Sequence, residues 1–186
     1  FRELTNSKRP INKMEDISGL KIRVIQSPIY IETFNALGAN SVPMPFTEVY
    51  TALEQKIIDG QENPFSVIET SKLNEVQKYL TVTNHIYNPQ SVLASKKKWD
   101  ALTKDEKDIL TSTMAEATKW QRENSRKLAD ESLTNLKKTM TANVLPPEEL
   151  AKIRTKIKPV IDKFSASVGP DLVKELQAEL EKGRKK

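Results

Sequence analysis

The sequence contains no cysteine and a single histidine, His85. The lack of cysteine excludes a disulfide scaffold, a thiolate metal site and a cysteine nucleophile. No apolar run approaches the roughly 18 residues that a membrane-spanning helix needs, and the few glycines and prolines form no low-complexity tract. Nucleophile elbows, phosphate-binding loops and zinc-ligand spacings are also missing. The sequence therefore predicts no catalytic set, no metal site and no cofactor.

The composition indicates a folded, helix-rich protein with an excess of positive charge. The 186 residues carry a net charge of +5, which is concentrated in residues 1–27 and in the tail 182–186. This length allows one domain, or one domain and part of another. A nucleic-acid footprint needs a basic stripe with interleaved aromatic residues, and the tail has none, so no nucleic-acid partner is predicted. A basic nucleic-acid-binding module is kept only as a third hypothesis, recognisable by steep salt dependence.

Short β-rich runs alternate with helical segments in the first half of the chain. This alternation predicts an α/β layer that contains parallel strands. The expected strands are 21–25, 41–44, 81–83, 91–94 and 143–145. The expected helices between them include one that begins at Pro28, one that ends at Gly60 and one across 64–79.

A long helix is predicted in the second half. Thr103 and Glu106 form a capping box, and neither proline nor glycine interrupts the sequence from there to Met140. That helix would span roughly 35 residues and about 50 Å. It is too long for one compact layer, so it is either kinked or lies across two lobes.

Four features are candidate parts of a binding site: Arg23, the segment 59–64, Phe46 and Arg2. Arg23 lies between apolar neighbours at the carboxyl end of a predicted strand, where α/β sheets bind ligands. Its guanidinium fork would fit a carboxylate, although an exposed edge-strand arginine is the alternative. Asp59 to Pro64 is predicted as an exposed turn. Phe46 alone suggests core packing, and Arg2 alone suggests a solvated terminal side chain.

Three motifs in this order resemble one family. They are GLKIRV at 19–24, MPFTEVY at 44–50 and DGQENP at 59–64. Together they resemble the solute-binding subunit of TRAP (tripartite ATP-independent periplasmic) transporters, the DctP-like family, from Phe1 to about Lys182. The resemblance implies an α/β, periplasmic-binding-protein-like lobe with a mixed sheet and a long helix that crosses toward a second, largely missing lobe.

The resemblance also implies a division of the chain. Residues 1–88 would form the main part of solute-binding lobe II, and residues 89–125 would belong to lobe I and begin the crossing helix. Residues 126–186 would complete that helix and return to lobe II. Most of lobe I would then lie upstream and be absent.

The same resemblance assigns the substrate-binding residues. Arg23 would neutralise the carboxylate of an organic acid, Asn63 would orient it, and Phe46 would pack on its carbon skeleton. Arg2 and Gln26 would contribute to the site.

The implied function is capture of an organic acid in the periplasm and its delivery to the membrane permease, without catalysis. With half a cleft, the chain alone is expected to bind solute weakly or not at all, and the exposed side of its long helix could support a dimer. The alternative is a small α/β enzyme in which His85 approaches Asp59 or Glu62.

Overall fold

The computed structural model describes residues 1–184. The last two residues of the basic tail, Lys185 and Lys186, lie outside the described residues. The strands are Arg2–Asn6 (β1), Lys21–Val24 (β2), Asn40–Pro43 (β3), Gly60–Asn63 (β4), Tyr79–Ile86 (β5) and Thr141–Val144 (β6). The α-helices are Pro28–Ala36 (α1), Val49–Glu54 (α2), Phe65–Thr70 (α3), Lys96–Asp100 (α4), Lys104–Thr139 (α5), Pro147–Val168 (α6) and Pro170–Arg184 (α7). Three short 3-10 helices lie at Met14–Ile17, Phe46–Glu48 and Leu73–Glu75.

The six strands form one sheet in the order β3-β2-β4-β1-β5-β6. β2 is parallel to both β3 and β4, and β5 is parallel to β6. β1 runs antiparallel to its neighbours β4 and β5. The sheet is therefore mixed, which confirms the predicted fold class.

Helices cover both faces of the sheet, and each face has its own apolar core. One core lies with α1 and α6 and includes Leu4, Ile22, Phe34, Leu145 and Ile153. The other lies with α2, α3 and α5 and includes Val49, Ile58, Ile68, Leu80 and Leu136. Because both faces are covered, polar residues in the central strands are buried as well.

The predicted long helix is confirmed as α5, which has 36 residues. Its capping box is formed, since the Thr103 side chain accepts from the Glu106 N–H and the Glu106 carboxylate accepts from the Thr103 N–H. Only the carboxyl-terminal part packs on the sheet, where Leu136 is buried. In the amino-terminal half the Trp120 side chain is 66% exposed. Among the described residues, this half of α5 has no apolar partner surface.

Several predicted element boundaries were wrong. Residues 91–94 form no strand, because no neighbouring strand offers them a ladder, and both Val92 and Leu93 are exposed. The expected helix over 64–79 is divided where Lys72 adopts a left-handed conformation, with φ of 57°. The helix before β4 ends at Glu54, not at Gly60. β5 continues to Ile86 instead of ending at residue 83.

The predicted exposed turn at 59–64 was also wrong. Gly60–Asn63 is β4, a fully buried strand between β2 and β1. Gly60 is required there because a Cβ atom would lie 2.2 Å from the carbonyl oxygen of Thr5. The polar side chains that suggested a turn are instead held inside the sheet by hydrogen bonds, chiefly to β1: Gln61 bonds to Thr5 and Asn63, and Glu62 bonds to Arg2.

Candidate functional site

Arg23 lies on β2 with its guanidinium buried at the carboxyl end of the parallel strands. The residue is 4% exposed, so the alternative of a solvent-facing edge arginine is wrong. Nε and Nη2 donate to the Met44 carbonyl oxygen at 3.0 and 2.8 Å. Within the part of the chain that the structure describes, no carboxylate forms an ion pair with it. Burial lowers the pKa of Arg23, an effect that the charge of Glu62 opposes and that of Arg2 reinforces.

Phe46 stands beside this guanidinium. Its ring centroid lies 5.8 Å from Arg23 Cζ, within the range of a cation–π contact. The side chain belongs to the Phe46–Glu48 helix and is 44% exposed, so core packing is excluded. The pair presents a buried cation next to an accessible apolar surface.

Arg2 is buried in β1, contrary to the expectation of a solvated terminal side chain. Its Nε donates to Glu62 Oε2 at 2.5 Å, and its Nη2 donates to Glu62 Oε1 at 2.8 Å. The same Nη2 lies 3.1 Å from Asn63 Oδ1. The charge of Arg2 is thus neutralised within the protein, in contrast to that of Arg23.

His85 completes a buried group with Arg2 and Glu62. Its Nε2 lies 3.3 Å from Glu62 Oε2, and its Nδ1 lies 2.7 Å from Thr83 Oγ1. Burial would raise the pKa of the Glu62 carboxyl, but the hydrogen bonds from His85 and Arg2 lower it below its ordinary value. The approach that the enzyme alternative required is therefore present. Glu62 has no exposed surface, however, so a substrate cannot reach its carboxylate.

Gln26 is the one predicted site residue that lies apart from these contacts. It is exposed in the connection between β2 and α1. It makes no side-chain hydrogen bond with any residue in 1–184. The structure therefore brings together Arg23 with Phe46 and Arg2 with Asn63, and leaves Gln26 at the surface.

Three buried polar residues of the site region were not predicted: Glu3, Thr5 and Gln77. Glu3 Oε2 accepts from the backbone N–H groups of Thr83 and Asn84 at 2.7 and 2.8 Å. These bonds fill an irregularity in the β1–β5 ladder, where Asn84 has φ of 46°. Burial raises the pKa of Glu3, and the bonds from Asn84 and Thr83 oppose the rise.

Comparison with known proteins identifies the family. The model of the bacterial extracellular solute-binding protein family 7, DctP, matches residues 1–167. The chain belongs to this family. Family 7 membership agrees with the three motifs and with the mixed sheet. Among the described residues, no helix is both long enough and apolar enough to cross a membrane.

Individual relatives are similar over nearly the whole chain. The sialic acid-binding periplasmic protein SiaP of Vibrio cholerae is 36% identical over 174 residues, which cover 94% of this chain and 54% of SiaP. A TRAP periplasmic solute-binding protein from Ochrobactrum anthropi, whose C-terminus is bound in its ligand-binding pocket, is 52% identical with a TM-score of 0.90. That match covers 99% of this chain and 58% of the other.

A third relative is bound to a sugar acid. The binding protein DctPAm of Advenella mimigardefordensis, in complex with galactonate, is 45% identical with a TM-score of 0.91, over 98% of this chain and 59% of that protein. These relatives are solute-binding proteins, not enzymes. The chain spans little more than half the length of each of them.

Proposed function

We propose that this chain is the larger part of a periplasmic TRAP solute-binding protein that holds an organic acid by its carboxylate. The observation that carries the proposal is the buried guanidinium of Arg23, which has carbonyl and aromatic contacts but no carboxylate partner among residues 1–184. A buried charge without a counter-ion is costly. A ligand carboxylate would supply that counter-ion and would also accept the guanidinium's remaining N–H groups.

The charge balance supports an anion at Arg23 more than at Arg2. Arg2 already has a carboxylate partner in Glu62, through two hydrogen bonds. Its contribution to the ligand site would be indirect, through its bond to Asn63. Gln26, exposed beyond the end of β2, would contact the solute only in a closed form of the cleft.

The exposed ring of Phe46 suits the uncharged part of such a solute. It lies against the same guanidinium and keeps close to half of its surface accessible. Packing of a carbon skeleton on this ring would add apolar burial to the ion pair. The combination fits small organic acids such as sugar acids, sialic acids and dicarboxylates.

The proposed domain arrangement rests on the length of the relatives and on α5. Residues 1–88 would form most of lobe II, 89–125 would join lobe I, and 126–186 would return to lobe II. The unpartnered amino-terminal half of α5 supports this division, since an upstream lobe would cover it. The solute would be released to a membrane permease, as expected for this transporter type.

A thermal-shift panel tests the proposal. Galactonate, sialic acid and succinate are added to the chain alone and to the chain joined to the upstream lobe of the Ochrobactrum relative. We expect one acid to stabilise the joined protein by about 2.7 kcal/mol at a hundred times its Kd, with a smaller shift for the chain alone. No shift with any anionic solute in either form would refute the proposal.

A second candidate function is favoured by the contact of His85 with Glu62. An acid–base enzyme would use this pair, and His85→Ala would then abolish turnover. The burial of Glu62 and its pairing with Arg2 favour solute binding instead. Retained solute binding and no measurable reaction of the bound acid would exclude this candidate.

A further inference from the structure

We propose that Gln77, Thr5 and Gln61 are positioning residues that force the Asn63 side chain to offer an N–H group to the ligand. They form a continuous chain of hydrogen bonds with Asn63, termed here the amide relay. Its direction follows from the contacts alone. Its effect on the ligand rests on the proposed function.

Gln77 determines which end of each side chain in the relay donates and which end accepts. The Nε2 atom of this side chain lies 2.9 Å from Ser7 Oγ, 3.1 Å from the Val76 carbonyl oxygen and 3.4 Å from that of Asp59. Carbonyl oxygens can only accept hydrogen bonds. Ser7 Oγ donates its own proton to the Val76 carbonyl, so it accepts from Gln77. This end of Gln77 must therefore be the NH2 group, and its Oε1 must face Thr5.

Thr5 and Gln61 transmit that direction. Thr5 Oγ1 lies 2.9 Å from Gln77 Oε1, so its proton is committed to Gln77. The Gln61 atom at 2.9 Å from the same hydroxyl must then donate, which makes it Nε2. The carbonyl oxygen of the Gln61 side chain consequently faces Asn63. Each step leaves one possible orientation for the next side chain.

The opposite end of the relay demands the same orientation. Asn63 Nδ2 donates to Gln61 Oε1. Asn63 Oδ1 lies 3.1 Å from Arg2 Nη2, whose two hydrogens it shares with the backbone oxygen and Oε1 of Glu62 at 2.7 and 2.8 Å. A guanidinium can only donate. Backbone carbonyls at one end and an arginine at the other thus impose one direction on four side chains. Thr5 and Gln61 are completely buried, so water cannot replace a hydrogen-bond partner that either of them loses.

The fixed orientation matters because of where Asn63 lies. Arg23 pairs with Gln61 across the β2–β4 ladder, and side chains two residues apart on a strand share a face. Arg23 and Asn63 therefore project on the same side of the sheet. One Asn63 Nδ2 hydrogen is used by Gln61, and the other has no acceptor among residues 1–184. The two residues together offer donors only, which suits a carboxylate and opposes an amide NH2 or an ammonium group.

Amide NMR on the ligand-free chain tests the relay directly. A through-hydrogen-bond coupling is expected from the Asn63 side-chain nitrogen to the Gln61 side-chain carbonyl carbon, with slow exchange of that NH2 group. The Asn63 resonance is assigned by its loss in Asn63→Asp. A coupling in the reverse direction, from Gln61 nitrogen to Asn63 carbon, would overturn the proposal.

Thr5→Val and Thr5→Ser form the matched pair of variants. Valine has nearly the same shape but lacks the hydroxyl, whereas serine retains it. We expect the coupling and slow exchange to survive in Thr5→Ser. In Thr5→Val, where only Arg2 still orients Asn63, the coupling should weaken and exchange of the NH2 group should become faster. Equal behaviour of the two variants, with the coupling retained, would show that the relay does not control Asn63.

A binding assay tests whether the relay gives the site its preference for a carboxylate. It compares galactonate with its neutral analogue galactonamide, both added to the joined protein. Thr5→Val should weaken galactonate binding about tenfold and reduce the preference for the acid over the amide, while Thr5→Ser keeps both. An unchanged preference in Thr5→Val would overturn the assigned positioning role. If galactonate fails to bind wild type, the proposed function fails for this solute, and the NMR result still decides the relay.

Discussion

Arg23 and Arg2 are both buried arginines, but their charges are treated differently by the protein. Arg2 is neutralised by Glu62, whereas Arg23 keeps its charge in a buried position with only carbonyl and aromatic contacts. Resemblance to the family motifs pointed to both residues. Local pattern could not separate their roles, because the partner of Arg2 lies 60 residues away.

Glu3 provides a prediction about pH. Its raised pKa means that its contribution to stability is complete below the ordinary value of 4.5 and is lost as pH rises through the raised value. A glutamine side chain cannot ionise, so Glu3→Gln should gain stability relative to wild type as pH rises, by at most about 1.4 kcal/mol per pH unit. Denaturant unfolding of both proteins between pH 4 and pH 8 measures the difference.

Glu62 has the opposite effect. Because its pKa is lowered in the folded state, it stabilises the fold at pH values above its ordinary pKa, and this stabilisation is lost as pH falls through the lowered pKa. Glu62 is present in both proteins, so its contribution cancels when Glu3→Gln is compared with wild type. A difference in unfolding free energy that stays flat, or falls with pH, would contradict the assigned state of Glu3.

Among the strands and helices, β4 departs most from what its sequence pattern predicted. Its residues, Gly60 to Asn63, are polar and follow a helix, so sequence pattern predicted a turn. The error has a physical cause, since burial of such a strand depends on partners supplied by β1 and β2, which no local window contains. By contrast, α5 was predicted well, because its capping box and uninterrupted length are local signals.

Gly60 is the position in β4 least able to accept a side chain. Gly60→Ala would place Cβ 2.2 Å from the Thr5 carbonyl oxygen and 2.8 Å from Asn6 Cβ. Separation of β4 from β1 should cost about 3 kcal/mol of unfolding free energy. Gly183→Ala, where nothing lies within 4 Å, is the control and should change stability by less than about 1 kcal/mol. Equal effects in urea denaturation would contradict the packing of β4.

The two halves of α5 should respond differently to truncation. Leu136→Ala removes a buried side chain and should cost about 3 kcal/mol. Met114→Ala, at a position that is exposed in the described residues, should change stability by less than about 0.5 kcal/mol. Denaturant unfolding of the chain alone measures both. A large loss for Met114→Ala would mean that this half of α5 already packs within the chain or against a second copy.

At the scale of the whole molecule, the chain matches 58% and 59% of the length of two solved relatives. Within the described residues, the sheet nevertheless has an apolar core on each face. We therefore expect the chain to fold alone but to present only one side of a cleft. The predicted dimer stays a prediction, which sedimentation at several concentrations can decide. The solute itself could not be predicted from sequence, because residues that select it would lie on both sides of the cleft.

Calorimetric titration of the joined protein with the acid that the thermal-shift panel identifies tests most directly whether Arg23 is the carboxylate anchor. Arg23→Gln is compared with Lys21→Gln, an exposed position on the same strand. We expect at least about a 100-fold loss of affinity for Arg23→Gln, as for removal of one partner of a buried charge pair, and an unchanged Kd for Lys21→Gln. Binding of the acid that survives in Arg23→Gln would contradict the assignment of Arg23 as the anchor.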